Sequence, residues 1–326
     1  MHILGIETSC DETAAAVVCD GSKILSNTIV SSLKEHSKFG GIIPEIASRR
    51  QLQYINAVVD TSLKEAKIKL SAIDAIAVTA FPGLHGSLLV GTSFAKALSY
   101  ALNKPLILVD HIKAHIYANL LFKPTEKKIE ATLPAIGLVV SGGHTSLYLV
   151  KSYQDFKLLG QTRDDAAGEA FDKVAKILNL GYPGGPVIDK LASKESDPGF
   201  KFKCAPMKDS HDFSFSGIKT AVLYHHRDNQ ENKDYNVNQV AYAFQRSVVD
   251  NLIKKSIEAC LKFKTKTLLI GGGVAANSEF RRTLENEALK HNIQYSFPSM
   301  SLCTDNAAMI AGLGFHYYSE KGVKNA

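Results

Sequence analysis

Residues 3–18 read ILGIETSCDETAAAVV, and residues 136–150 read IGLVVSGGHTSLYLV. Each stretch is a β-rich apolar run that enters a small Ser/Thr/Gly-type turn and leaves it as a second β run, the pattern of a β-hairpin. One hairpin recurring near the middle of the chain predicts two related lobes, each opening on it. After each hairpin the pattern alternates. Leu52, Ile55, Val58, Val59, Leu63 and Ala66 recur at helical spacing. A strand at 75–80, a turn at Pro82-Gly83, a small-residue helix at 88–102 and a strand at 106–109 follow. The second half predicts a helix at 169–178 and a long one at 240–261, with Val240, Phe244, Val248, Leu252 and Ile257 on one stripe. A strand at 268–270, a helix at 278–291, a strand at 294–297 and a last helix from 305 complete it. Such alternation indicates α/β lobes. The expected division is an N-terminal lobe, 1–110, completed by a C-terminal helix at 305–326, and a second lobe, 111–304. A polar, Lys- and Asp-rich insertion is expected around 190–238.

Composition bounds the classes. A chain of 326 residues, 45% hydrophobic and 21% charged, is an ordinary globule rather than a disordered chain. The net charge of +6 permits a polyanionic partner without demanding one. The five cysteines (Cys10, Cys19, Cys204, Cys260 and Cys303) include no CxxC pair, which argues against a disulfide framework or a Cys-rich zinc site and favours a reducing compartment. The start, MHILGIETSCDE, lacks a basic n-region, so no signal peptide is expected. The uncharged runs 75–95 and 131–150 are broken by Pro, Gly and His and read as buried strands with glycine turns, not membrane spans. These features predict a cytoplasmic protein.

Asp110-His-Ile-Lys-Ala-His115 follows directly on a predicted strand. On a helix, His111 and His115 point to one side, and carboxyl ends of strands are where α/β proteins place sites. The pair suits two ligands of a metal; it also suits two surface histidines behind an Asp110 N-cap. A zinc protease would need Glu beside the first His, and Ile112 stands there. A third ligand must come from far away. In Ser301-Leu-Cys-Thr-Asp-Asn-Ala-Ala-Met, Asp305 is either such a ligand or a helix N-cap, and Cys303 is a less suitable ligand.

Three glycine turns lie in the second half: Ser141-Gly142-Gly143-His144, Tyr182-Pro-Gly-Gly-Pro186 and Gly271-Gly-Gly-Val-Ala-Ala-Asn277. Turns of this kind offer backbone N–H groups to anions, and three in one lobe favour a nucleotide site. Neither GxxxxGK[ST] nor GxGxxG is present. Glu169, Asp172 and Asp189 are candidates for ribose hydroxyls or plain helix-terminal acids. The lysines at 254, 255, 262, 264 and 266 read as a solvated helix end or, less favoured, a phosphate-contacting patch.

Together these segments resemble the tRNA N6-adenosine threonylcarbamoyltransferase family, formerly described as O-sialoglycoprotein endopeptidases. The matching pieces are GIETSCDET (5–13), GSLLVG (86–91), His111 with His115, VSGGHT (140–145), GEAFDK (168–173), YPGGP (182–186), FSFSGIKT (213–220), GGGVAAN (271–277) and TDNAAMIA (304–311). DDAAGEAFDK is similar to the bacterial and organellar branch. His85, Asp110 and Ala114 depart from the family's common Pro, Asn and Gly. The resemblance implies a duplicated actin/Hsp70/sugar-kinase-like α/β fold, two lobes with a central nucleotide cleft. It implies transfer of a threonylcarbamoyl group from threonylcarbamoyl-adenylate to N6 of the adenosine 3′ of the anticodon in tRNAs reading ANN codons, with release of AMP. It implies metal ligands at His111, His115 and Asp305, for Fe2+ first and Zn2+ second. Donor-binding positions are implied at Val139, Val140, Ser141, Gly142, Gly143, Asp172, Gly185, Asp189 and Asn277, with no residue assigned as general base. It implies a homologous non-catalytic subunit and a small ATPase subunit as partners, and no membrane. The rivals are a small-molecule kinase of the same fold, a metalloprotease and a non-enzymatic scaffold. A surplus of six charges is slight for gripping a tRNA, so partner subunits are expected to share that task.

Overall fold

A computed structural model describes residues 1–126, 130–207 and 210–321, the last three of these by backbone alone. The expected end of the C-terminal helix, 322–326, and positions 208–209 of the expected insertion lie outside the described residues.

In chain order the first half runs β1 (His2–Glu7), β2 (Glu12–Cys19), β3 (Lys23–Ser31), α1 (Leu33–His36), α2 (Pro44–Ala66), β4 (Ala75–Phe81), α3 (His85–Leu102), β5 (Leu106–Asp110) and α4 (His111–Tyr117). The second half runs β6 (Ala135–Val140), β7 (Thr145–Val150), β8 (Phe156–Gln161), α5 (Ala167–Ile177), α6 (Gly184–Ala192), α7 (Ser216–Asn229), α8 (Val237–Phe263), β9 (Thr267–Gly271), α9 (Ser278–Lys290) and β10 (Gln294–Ser296), and α10 (Ala307–Lys321) follows. The chain divides into two compact units, Met1–Ala131 with Pro298–Ala326, and Thr132–Phe297. The division falls after α4, not at residue 110. Asp110 ends β5 and caps α4 through Ile112 N and Lys113 N, and α10 packs on α4, so α4 and its histidines stay with the first unit.

Each unit holds one five-stranded mixed sheet, ordered β3-β2-β1-β4-β5 and β10-β9-β6-β7-β8. Matching strands in chain order gives the same topology twice, which is the duplication expected from the two hairpins. In both hairpins six residue pairs face each other antiparallel, from His2↔Cys19 to Glu7↔Ala14 and from Ala135↔Val150 to Val140↔Thr145. The next strand, β4 or β9, lies parallel to the hairpin's first strand.

In the first unit, α2 and α3 cover one face of the sheet over Leu4, Ile6, Ile76 and Val78. The other face takes α10. Small residues make that close approach possible: a Cβ at Gly5 would strike Ala307 O, and Gly314 sits against Ala77. Burial on both faces explains why β1 and β4 read as continuous apolar runs instead of alternating ones. In the second unit β6 and β9 are wholly buried, and Phe171 of α5 meets Phe244 of α8 with ring centroids 5.0 Å apart. Among the described residues no helix is long and apolar enough to cross a membrane.

Candidate functional site

In the first unit, β1, β4 and β5 run parallel, so their carboxyl ends lie at one edge of the sheet. That edge carries Glu7, Thr79 and, one residue past β5, His111. A register shift between Thr79 and Phe81 bends the edge beside Asp110. The Asp110 cap starts α4 at once, and the helical spacing brings the imidazoles of His111 and His115 edge to face, with centroids 4.7 Å apart. Asp305 arrives from the other end of the sequence, just before α10. Its Oδ1 lies 3.1 Å from His115 Nε2 and 3.5 Å from His111 Nε2. One ligand atom from each of the three falls within 4.8 Å of the other two. Asp305 is not the helix cap: Asn306 Oδ1 accepts from Met309 N and fills that role. The Cys303 thiol donates to backbone oxygens of Pro298 and Ser299 and is packed, not presented.

The electrostatics are those of a buried charge cluster. Burial pushes the His111 imidazolium down, but Glu7 and then Asp305 outweigh it and hold the group well above its ordinary value. Burial pushes Asp305 up, and the charge and hydrogen bonds of His111 and His115 hold it far below the usual carboxylate range. Glu12 is pushed well up by burial, then by Asp305 and Asp11. Two imidazoles and a carboxylate are a donor set for a divalent transition metal. The set fits one here by the convergence of its donors: Nε2 of both imidazoles turns toward Asp305 Oδ1, so two imidazole nitrogens and one carboxylate oxygen face one point.

The second unit gathers the glycine turns at the carboxyl ends of the parallel strands β6 and β9, in register at Val139↔Gly271. The turn after β6 is closed by Ser141 N to His144 O (2.8 Å) and His144 N to Ser141 Oγ (3.1 Å), leaving Gly142 and Gly143 with open space around them. The first turn of α5 abuts it, Gly168 N donating to Ser141 O. Gly272 lies against the Val140 backbone, joining the turn after β9 to that after β6. Asp172 accepts from Gly184 N at 2.7 Å, tying α5 to the start of α6; burial raises its carboxyl and the Gly184 hydrogen bond opposes that. Gly185 beside it is open. Asp189 accepts from Ser278 N and Ser278 Oγ, next to Asn277. Asn277 caps α9 through Phe280 N and gives its amide to Gln245 at 2.8 Å. Val139 and Val140 are wholly buried, so their side chains pack. Asp172 and Asp189 thus each bind a segment beside a glycine turn, at Gly184 and at Ser278.

Other matching segments hold the unit together. Asp164 accepts from Ser214 Oγ, Phe215 N and Ser216 N at the start of α7, and Asp165 pairs with Lys173 (2.6 Å) and Lys219 (2.8 Å). Glu169 pairs with Lys173 at 2.8 Å. Lys255 donates to Ser210 O at 2.8 Å and so braces a loop rather than standing free.

Sequence reasoning missed Glu7, Ser9 and Thr79. Glu7 is fully buried and Thr79 donates to its Oε2 at 2.6 Å. The available signal was one acid closing an otherwise apolar strand, which is costly unless partnered.

A duplicated five-stranded sheet with helices on it is the actin/Hsp70/sugar-kinase-like class of fold. Solved structures agree. A full-length HypF aligns with TM-score 0.65 at 13% identity over 98% of this chain and 47% of that one. Component A of the Acidaminococcus fermentans (R)-2-hydroxyglutaryl-CoA dehydratase aligns with TM-score 0.57 at 15% identity over 98% and 100%. Sequence narrows the class. The family model for tRNA N6-adenosine threonylcarbamoyltransferase matches residues 23–312. The enzyme of that name from Caldicellulosiruptor saccharolyticus is 51% identical over 97% of this chain and 92% of its own. That from Staphylococcus epidermidis is 49% identical over the same shares. The chain belongs to the tRNA N6-adenosine threonylcarbamoyltransferase family.

Proposed function

We propose that this chain transfers the threonylcarbamoyl group of threonylcarbamoyl-adenylate to N6 of the adenosine 3′ of the anticodon in tRNAs that read ANN codons. The observation that carries the reading is that His111, His115 and Asp305, two of them 190 positions apart, bring one ligand atom each within 4.8 Å in a chain of this family. His111, His115 and Asp305 would hold the metal, Fe2+ before Zn2+, since two histidines and one carboxylate suit non-haem iron. When bound, the metal supplies a Lewis-acidic centre for anionic oxygens of the donor.

N6 attacks the carbamoyl carbon, the bond from that carbon to the phosphate oxygen breaks, the oxygen leaves with the electron pair as part of AMP, and the proton lost by the amine passes to the released phosphate and solvent. An adenine amine is a weak nucleophile, so the mixed anhydride supplies the activation and the protein's part is positioning and charge stabilisation. In the second unit the backbone at Val139, Val140, Ser141, Gly142 and Gly143 would meet anionic groups of the donor, the two open glycines admitting them closely. Asp172 and Asp189 would take hydroxyls on the lone pairs that Gly184 N–H and the N–H and hydroxyl of Ser278 leave over, with Gly185 giving clearance. Asn277 keeps one amide hydrogen beyond that given to Gln245. No group is assigned as general base. A homologous non-catalytic subunit and a small ATPase subunit would complete the working complex in the cytoplasm and share the grip on tRNA.

The test is His111→Ala combined with His115→Ala in a reconstituted modification assay with folding followed by circular dichroism. Loss of modification in a folded protein is expected, and normal modification would overturn the metal-site assignment. Formation of phosphosugar from ATP and a sugar by the wild-type chain would favour a kinase instead.

A further inference from the structure

Glu7 is a carboxylate of the first-unit cluster that the donor set does not use, and its Oε2 lies against His111. Its side chain is completely buried at the end of β1. Oε1 accepts from the backbone N–H of Ser9. Oε2 accepts from Thr79 Oγ1 at 2.6 Å and lies 2.8 Å from His111 Nδ1. Ser9 N–H and Thr79 Oγ1 both donate to this carboxyl group and Nδ1 is the ring nitrogen turned to it, so with Nε2 given to a metal the ring proton sits on Nδ1, between them. Ser9 Oγ, 3.2 Å from the same nitrogen, completes the cradle. The other nitrogen, Nε2, faces Asp305. Thr79 of β4 and the backbone of Ser9, in the buried turn after β1, fix Glu7, so the orientation of the ring is held by a strand and by that turn together.

His115 differs. Its Nε2 also faces Asp305, yet among the described residues its Nδ1 has no hydrogen-bond partner. The two histidines of the pair are therefore held unequally.

We propose that Glu7 is the positioning residue of the metal centre: it locks His111 in the Nδ1–H tautomer and presents Nε2 as a preset ligand, while His115 adapts to the ion. The proposal rests on the metal reading above. A carboxylate behind a metal-bound imidazole raises its basicity and fixes its ring, and loss of such a partner costs about 10–100-fold in affinity. Thr79 acts one step further back, by holding Glu7.

The experiment measures zinc affinity of the metal-stripped full chain by competition with a chromophoric chelator, for wild type, Glu7→Gln and Thr79→Val. Thermal melts of the stripped proteins establish folding. Glu7→Gln is expected to weaken zinc binding about 10–100-fold, and Thr79→Val by less. Nitrogen-15 histidine spectra of zinc-loaded wild type are expected to show His111 protonated at Nδ1. A folded Glu7→Gln variant with wild-type zinc affinity would overturn the proposal, as would metal attachment through His111 Nδ1. If Glu7→Gln does not fold, unchanged affinity in folded Thr79→Val has the same force. A wild-type chain that binds neither zinc nor ferrous iron removes the metal reading itself, an outcome distinct from equal binding by variant and wild type.

Discussion

At the carboxyl end of β1 the hairpin turn buries Thr8, Ser9 and Asp11 beside Glu7, whereas at the matching end of β6 the turn Ser141-Gly142-Gly143-His144 leaves both glycines open. The next parallel strand repeats the contrast. β4 buries Thr79 two residues before its end at Phe81, and β9 ends on the first of three consecutive glycines. The strand order is the same in both sheets, so topology decides where a site falls and the residues at the strand ends decide what it holds. The first edge is made of side chains. It removes Glu7, His111 and most of Asp305 from water, which is tolerable only while the hydrogen-bonded network is complete. The second edge is made of backbone. It costs little desolvation, but its geometry depends on residues that lack a side chain.

That difference can be broken at chosen points. The largest effect is expected at Gly272. Its φ of 90° is a conformation that other residues rarely adopt, and a Cβ there would strike Val140 O. Gly272→Ala should destabilise the protein by on the order of 3 kcal/mol, read as a lower urea midpoint. A loss below about 1 kcal/mol would mean that the turn yields and that the second edge is not held by its backbone. A smaller and different effect is expected at Gly142, where an added Cβ meets nothing. Gly142→Ala should leave stability within about 0.5 kcal/mol and raise KM for the adenylate donor. Unchanged KM would remove this turn from the donor site.

The duplication was legible because the inner strands of both sheets are buried on both faces and stand out as apolar runs. Two of the edge strands were not. β3 and β8 are only partly buried and carry Lys, Ser, Asn and Gln among their apolar residues, so neither a continuous nor an alternating pattern emerges. The stretch 190–238, read as a polar insertion, contains α7, which buries only Ile218 and Val222 and owes its start to Asp164 from another segment. Spacing alone paired His111 with His115. Sequence left Asp305 open between ligand and cap, because no local pattern separates the two; the family resemblance implied the ligand, and Asn306 proved to be the cap. Glu7 went unread because its partners, Thr79 and His111, lie 72 and 104 positions away.

The smallest effect concerns Asp165, which supports the backbone-built edge with an ion-pair cluster of its own. Burial pushes its carboxyl up, but hydrogen bonds and charge from Lys173 and Lys219 outweigh this and hold it below its ordinary 3.8. A carboxylate depressed in the folded state binds its proton less readily there than in the unfolded chain. Its contribution is therefore fully present above the unfolded value and is lost as pH falls through the folded one. Wild type should lose stability below about pH 4 more steeply than Asp165→Asn, the two curves converging in acid. At neutral pH the variant should be less stable by about 1 kcal/mol, a modest figure because both lysines keep contact with water. Urea melts at pH 7 and pH 3 measure both. Parallel curves would mean that Lys173 and Lys219 hold α5 and α7 by packing of their stems, and that charge is a feature of the first edge alone.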